Sequence, residues 1–287
     1  MNRRNSTLTL AGLAGSLAGL TPAAAAQLPP AGDPPYVPTP MSLVHQMLEM
    51  AGVGESDVVY DLGSGDGRIV IAAAQRGARG VGVEYEGWLV QRSRAKADSA
   101  GVLDRVEFIE QDLFETDVRD ATVVLLYLGA DFNRRLRPRL LEQLRPGARI
   151  VSHGFHMDDW NADRTQTIGT GVSRATMYYW MVPARVDGFW SLEIEGLPPR
   201  VLELRQTFQE LQGTTEGSAG ALPVAGALRG EAIRFEVPGL QDAGESLLLF
   251  NGRLEGGRLM GNVEGEESGR VRSWRAVRFT DPSRAPG

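Results

Sequence analysis

VVYDLGSGDGRI, Val58 to Ile69, decides how this chain is read. Apolar residues run into Asp61 and then into Gly63, Gly65 and Gly67 at every second position, and Arg68 to Gln75 continues as a helix-like stretch. The pattern predicts a strand that turns tightly into a helix. Side chains at those glycines would keep a ligand away from the backbone, and the positive end of the helix behind them favours a bound anion or polar group. A nucleotide-like ligand is the first expectation, although many α/β folds carry glycine-rich turns.

On the amino-terminal side, Leu43, Val44, Met47, Leu48 and Ala51 fall on one helical face, and Gly52 and Gly54 stop that helix. On the carboxyl-terminal side, Gly80 to Glu84 reads as a second strand that again ends in an acid, followed by a helix from Glu86 to Ala100. Arg105 to Glu110 alternates like a third strand, and Ala121 to Leu128 is a continuous apolar run suited to a strand buried on both faces. Phe132 to Leu144 is a helix in which Pro138 marks a possible break, Ala148 to His153 a fifth strand, and Ala175 to Val182 a late strand. This alternation predicts an α/β, Rossmann-like, doubly wound sheet. After Gly188 only short alternating segments remain, punctuated by glycine-rich turns, which predicts a small all-β barrel or sandwich domain. The expected organisation is a signal peptide at 1–26, a Pro-rich linker at 27–40, the α/β domain at 41–184 and the all-β domain at 185–287.

The composition narrows the chemistry. A chain of 287 residues with 42% hydrophobic content can bury real cores, and a net charge of -6 provides no overall basic field for nucleic acid. With no cysteine, thiol catalysis, zinc-thiolate sites and iron-sulfur clusters are excluded, and three histidines are few for a metal site. Arg3 and Arg4 precede an uncharged run from Leu8 to Leu20, and Ala24, Ala25 and Ala26 supply a small-residue cleavage pattern. An export signal is expected, by the general secretory or the twin-arginine route. The expected location is periplasmic, or at the membrane if the segment stays uncleaved.

Asp61, Glu84 and Asp112 sit at or just beyond the carboxyl ends of three consecutive expected strands, where a parallel sheet binds its ligand. Glu84 lies about twenty residues past the glycine loop, the spacing at which an acid receives ribose hydroxyls. Surplus acids repel a pyrophosphate but suit a cationic nucleoside, which points to S-adenosylmethionine. DLGSGDGR then resembles motif I of the class I S-adenosylmethionine-dependent methyltransferases. PYVPTP, DLGSGDGRIVIAAA, GVEYEGWLV and the DLF at Asp112 together resemble the group of ATP synthase c-subunit lysine methyltransferases and their prokaryotic relatives, over about Pro35 to Trp160.

The resemblance implies that Asp61, Gly63, Ser64, Gly65 and Gly67 cradle the methionine part of the cofactor and that Glu84 holds the ribose. Tyr85 would flank the adenine, and Asp112, with Leu113 beside it, would face the exocyclic amine. Tyr36, Val37, Pro38 and Thr39 would form a lid, and Ser152, His153, Phe155 and Trp160 the far wall. Methyl transfer needs alignment and exclusion of water more than a nucleophile. The aromatic walls Tyr36, Tyr127 and Trp160 would favour a neutral amine, and His153 is the candidate proton acceptor. The acceptor is expected to be a protein lysine or a small molecule, with no nucleic acid partner and with membrane proximity through the N-terminal segment.

Other residues read as structural: His45 and His156 as exposed, Tyr178, Tyr179 and Trp180 as sheet core, and the arginines of Phe132 to Leu144 as a solvated face. Gly188-Phe189-Trp190 and Trp274-Arg275 weakly resemble the lipocalin and avidin signature, in which an early Trp packs against a late Arg. From this follows a second expectation for function: an exported binding protein in which a methyltransferase-like scaffold carries a ligand- or partner-binding β domain.

Overall fold

The computed structural model describes residues 36–169, 174–218, 220–239 and 243–279. The expected signal segment, and the linker as far as Pro35, lie outside the described residues. Helix α1, Met41–Met50, follows directly from the extended Tyr36 to Pro40. Strand β1, Val58–Leu62, leads through the glycine loop into α2, Arg68–Ala74, and the alternation continues with β2, Arg79–Glu84, and α3, Gly87–Ser99. Strands β3, Val106–Glu110, and β4, Val123–Leu126, are joined by irregular chain. Helix α4, Ala130–Gln143, then β5, Arg149–His153, β6, Arg164–Ile168, and β7, Ala175–Met181, complete the first half.

These strands form a seven-stranded sheet in the order β3-β2-β1-β4-β5-β7-β6. The first five are parallel, and β7 runs antiparallel between β5 and β6. Both faces are covered, which is why β4 reads as an unbroken apolar run. Val123 and Leu125 pack towards α1 and α2, while Val124 and Leu126 pack towards Leu136 and Leu140 of α4. Strand order reverses between β1 and β4, so the ligand crevice of this sheet lies at the carboxyl ends of those strands. Pro138 does not break α4: the helix passes through it and buries Asn133, Leu136 and Leu140 along one stripe.

The second half is an up-and-down meander of β8, Gly188–Ile194, β9, Arg200–Thr207, β10, Glu210–Gly217, β11, Gly220–Arg229, β12, Ala232–Pro238, β13, Leu247–Glu255, β14, Arg258–Gly265, and β15, Val271–Phe279. Each strand pairs with the next, and β15 pairs with β8, so the expected barrel or sandwich is a closed eight-stranded barrel. Its interior is filled with side chains: Phe235 and Phe250 stack at 4.3 Å, and Trp274 meets both edge-on at 5.5 Å. The weak signature is corrected in its partner. Arg278 sits over Trp190 at 4.7 Å, whereas Arg275 pairs with Glu193. The β15–β8 register explains the difference, because Arg278 lies directly opposite Trp190 and Arg275 opposite Glu193.

Candidate methyl-transfer site

The glycine loop follows the carboxyl end of β1, which lies between β2 and β4 in the sheet, with β5 next beyond β4. Gly63, Gly65 and Gly67 all have positive φ, at 80°, 54° and 76°, which only glycine adopts without strain. A Cβ at Gly63 would stand 2.5 Å from Leu128, and one at Gly65 would stand 2.6 Å from the Tyr36 ring. One at Gly67 would stand 2.7 Å from Phe108 and 2.8 Å from Ser93. A Cβ at any of the three would therefore meet protein, and Gly67 is the one closed in by two residues, Phe108 and Ser93. Its open side is filled by protein, and it serves close packing of helix on strand.

The loop hangs on β2. The amides of Gly63 and Ser64 donate to the Val83 carbonyl at 2.8 and 2.9 Å, and the Gly65 amide donates to Glu84 Oε2 at 2.8 Å. Glu84 Oε1 receives the Glu86 amide at 3.0 Å, so this half-buried acid already braces the loop it was expected to serve. The Ser64 hydroxyl is buried without a partner.

Three carboxyl groups crowd this region, and only one is neutralised. Asp66 receives Arg68 Nη2 at 2.7 Å and also pairs with Lys96. Its burial opposes ionisation, but the hydrogen bonds and charges of Arg68 and Lys96 hold its pKa well below the usual carboxylate range. Asp61 is fully buried at the end of β1. Desolvation first, then the charges of Glu84 and Asp66, push its pKa well above the ordinary value. No cation pairs with Asp61 among the described residues, so the site fits a ligand that brings positive charge. This donor set fits S-adenosylmethionine through its ammonium and sulfonium groups.

The rim is aromatic and open. Tyr36 lies against Gly65 and meets Trp88 edge-on at 6.3 Å, and partial burial beside Asp66 keeps its phenol protonated. Tyr85 and Trp88 are 59% and 55% exposed. Thr39 is buried, and its carbonyl receives Arg68 Nη1 at 2.9 Å, which anchors the Tyr36 to Thr39 segment beside the loop. Asp112 is exposed and caps its own turn through the Phe114 amide at 2.8 Å, while Leu113 packs into the core behind it.

Across the crevice, Tyr127 follows β4 and stacks on His153 at the end of β5, with centroids 4.1 Å apart, and on Phe155 at 6.1 Å. His153 is 8% exposed, its Nδ1 has no partner, and desolvation lowers its pKa. Tyr36, Tyr127 and His153 thus have surfaces at the strand ends, whereas two wall expectations need correction. Ser152 is buried and receives Asn133 Nδ2 at 2.9 Å. Trp160 is 1% exposed and stacks on Phe208 of the barrel at 5.7 Å, so it is core at the joint between the two halves.

Nothing in the sequence singles out Asn133. A buried amide on α4, it donates to the Phe155 carbonyl at 3.0 Å as well as to Ser152, fixing the chain beyond His153. The α4 arginines are clamps more than a solvated face: Arg139 donates to the carbonyls of Thr116 and Glu115, and Arg137 to that of Met157. His45 and His156 are exposed, and Trp180 is fully buried in the sheet core, as expected.

The ANTKMT methyltransferase domain model matches residues 61–164, ending before the barrel begins. The chain is 39% identical over 150 residues to a protein-lysine N-methyltransferase of Saccharolobus islandicus (strain REY15A), a match that covers 52% of this chain and 93% of the relative. It is 34% identical over 144 residues to the Xenopus laevis ATP synthase c-subunit lysine N-methyltransferase, covering 50% of this chain and 62% of that protein. Among solved structures, an RNA methyltransferase from Salinibacter ruber in complex with S-adenosyl-L-homocysteine is 52% identical, with a TM-score of 0.49, covering 52% of this chain and 96% of that one. The two lysine methyltransferases favour an enzyme over the binding-protein alternative. The chain belongs to the class I S-adenosylmethionine-dependent methyltransferases, in the group that contains the ANTKMT and ATP synthase c-subunit lysine methyltransferases.

Proposed function

We propose that this enzyme N-methylates a lysine side chain of a protein, with the acceptor entering over the ends of β4 and β5. The observation that carries the reading is the stacked Tyr127–His153 pair, whose imidazole Nδ1 is buried and unpartnered. An amine must lose its proton before it can accept a methyl group. Burial lowers the pKa of His153 and so keeps the imidazole neutral near neutral pH, where its unprotonated nitrogen can accept a hydrogen bond from the incoming amine. Tyr127 and Phe155 exclude water beside it and disfavour the charged ammonium. The Saccharolobus relative is named for protein lysine and the Xenopus relative for a lysine of the ATP synthase c-subunit, which supports a protein acceptor.

S-adenosylmethionine supplies, when bound, a methyl group on a sulfonium that an amine displaces in line. Asp61 and the Gly63 to Gly65 backbone would hold its methionine part, Glu84 its ribose, and Tyr85, Asp112 and Leu113 its adenine. The chain contributes alignment and a dry surface, which together supply most of what such a displacement needs. The N-terminal segment extends the proposal to an acceptor in the cell envelope or at the membrane.

The test uses tritiated S-adenosylmethionine with envelope protein, cytosolic protein and total RNA as separate acceptors. The expected result is label in envelope protein, recovered as methyl-lysine after hydrolysis and absent with Asp61→Ala. Label in RNA, or in protein but on another residue type, would overturn the lysine assignment. Label confined to cytosolic protein would overturn the envelope acceptor.

A further inference from the structure

A turn of the barrel packs against the segment that leads away from the methyl-transfer site. Phe208 and Gln209 join β9 to β10, and the segment they touch is the one that continues from His153. Beyond that histidine the chain is held at several points. The Gly154 amide donates to the Thr176 carbonyl at 2.7 Å, Asn133 Nδ2 donates to the Phe155 carbonyl, and Arg137 donates to the Met157 carbonyl at 2.8 Å. Its far end is Trp160, whose ring is caught between Trp180 at 6.0 Å and Phe208 at 5.7 Å, the latter at 16° from parallel. Gln209 then uses both ends of its side chain: Oε1 receives Trp160 Nε1 at 2.8 Å, and Nε2 donates to the Asn161 carbonyl at 2.8 Å.

The turn itself is fixed. Gln206 Nε2 donates to the Phe208 carbonyl at 2.7 Å and to the Ala184 carbonyl at 2.8 Å, and the Leu228 amide donates to the Gln209 carbonyl at 2.7 Å. Phe208 holds a φ of 54°, a strained value for an aromatic residue, so the fold keeps this ring in place at a cost. Arg137, which clamps the segment from α4, also lies over the Phe208 ring at 5.2 Å.

We propose that Phe208 and Gln209 are positioning residues for methyl transfer: the barrel sets the acceptor wall by fixing Trp160, and through it the Gly154 to Trp160 segment beside His153 and Tyr127. The proposal rests on the methyltransferase reading of that crevice.

The experiment compares full-length protein with Phe208→Gly, Gln209→Ala and Arg185→Ala. Glycine relieves the positive φ at 208 while removing the ring, and Gln209→Ala, which keeps the ring in the core, reads the same segment where loss of the ring weakens the joint. Arg185 donates to the Leu141 carbonyl in the same joint but does not touch the 154–160 segment, and serves as the control. The imidazole signals of the three histidines are titrated by NMR, and S-adenosylhomocysteine binding is measured by calorimetry.

The expected result is a lowered His153 pKa in the wild type that moves up towards the ordinary value of about 6.5 in Phe208→Gly and Gln209→Ala, as a loosened wall admits water. S-adenosylhomocysteine affinity should stay within about twofold, and transfer to the acceptor should fall about tenfold or more in kcat, the scale of a misplaced reacting geometry. An unchanged His153 titration in both variants would overturn the proposal. So would an equal shift in Arg185→Ala, which would mean that general undocking is responsible. Absence of S-adenosylhomocysteine binding in the wild type would instead sink the methyltransferase reading.

Discussion

Asp61 is a carboxyl group that the folded protein keeps from ionising easily, because burial and two neighbouring acids oppose its charge. A raised pKa in an acid means that ionisation costs stability: the penalty grows as pH rises from the unfolded pKa and is full above the folded one. A cationic ligand removes that penalty. Asp61→Asn should therefore melt at a higher temperature than wild type at neutral pH in the absence of ligand, and show no shift with S-adenosylmethionine. Wild-type affinity should fall as pH drops through the raised pKa, with proton release on binding detectable by calorimetry in buffers of different ionisation enthalpy. An affinity independent of pH across that range, or a less stable Asp61→Asn protein, would contradict this account of the site.

The glycines separate fold from ligand at the same scale. Gly67→Ala drives a Cβ into Phe108 and Ser93 and should cost about 1–3 kcal/mol by overpacking, read in thermal unfolding. Gly65→Ala meets the Tyr36 ring, which can swing away towards the crevice, but it also places a Cβ at a φ of 54°, so it should cost about 1–2 kcal/mol of stability together with cofactor affinity. The sequence shows both glycines in the same every-second-position pattern, and nothing in that pattern says which neighbour each one faces. Ser152 and Trp160 depart from the expected wall for a related reason: their place after β5 is legible, but which way each side chain turns depends on α4 and the barrel.

Elements with strong periodicity are legible, and those without it are not. Helix α1 buries the Val44, Met47 and Leu48 face that its spacing announces, and β4 shows the unbroken apolar run of a doubly covered strand. Strand β6, RTQTI, gives no strand signal because it is an exposed sheet edge and carries polar residues on both faces. Asn133 is hidden in the same way, as one polar residue in an arginine-rich helix. Its amide binds the Ser152 hydroxyl and the Phe155 carbonyl, so Asn133→Ala strands buried polar groups. The expected cost is about 1–3 kcal/mol, measured by denaturant unfolding, together with slower transfer at unchanged cofactor affinity. A variant that loses stability alone would confine Asn133 to folding.

At the level of the molecule, the change from alternating strands and helices to closely spaced strands is plain in the sequence, but barrel closure is not. An alternating strand looks the same in a sandwich, and closure depends on the β15–β8 pairing and on glycines such as Gly213 and Gly261. A Cβ at either would lie about 2 Å from a neighbouring strand's carbonyl oxygen. The joint between the halves is also illegible, since Phe208 and Gln209 read as an ordinary turn. Its physical consequence is testable. Val182, Ala184 and Val186, in the connection from β7 to β8, are all buried, the Ala184 amide donates to the Gly230 carbonyl at 2.8 Å, and Phe208 completes the core around Trp160. Domains joined by an exposed linker unfold separately, whereas here the connection is itself core. Calorimetry should thus give one endotherm for both halves. S-adenosylhomocysteine at a hundred times its Kd stabilises by about 2.7 kcal/mol, and at roughly 2–4 °C per kcal/mol for a chain of this size the whole endotherm should move up by about 5–10 °C. Two endotherms, of which only one responds to ligand, would show that the barrel folds without reference to the site and would remove the energetic basis for its grip on the acceptor wall.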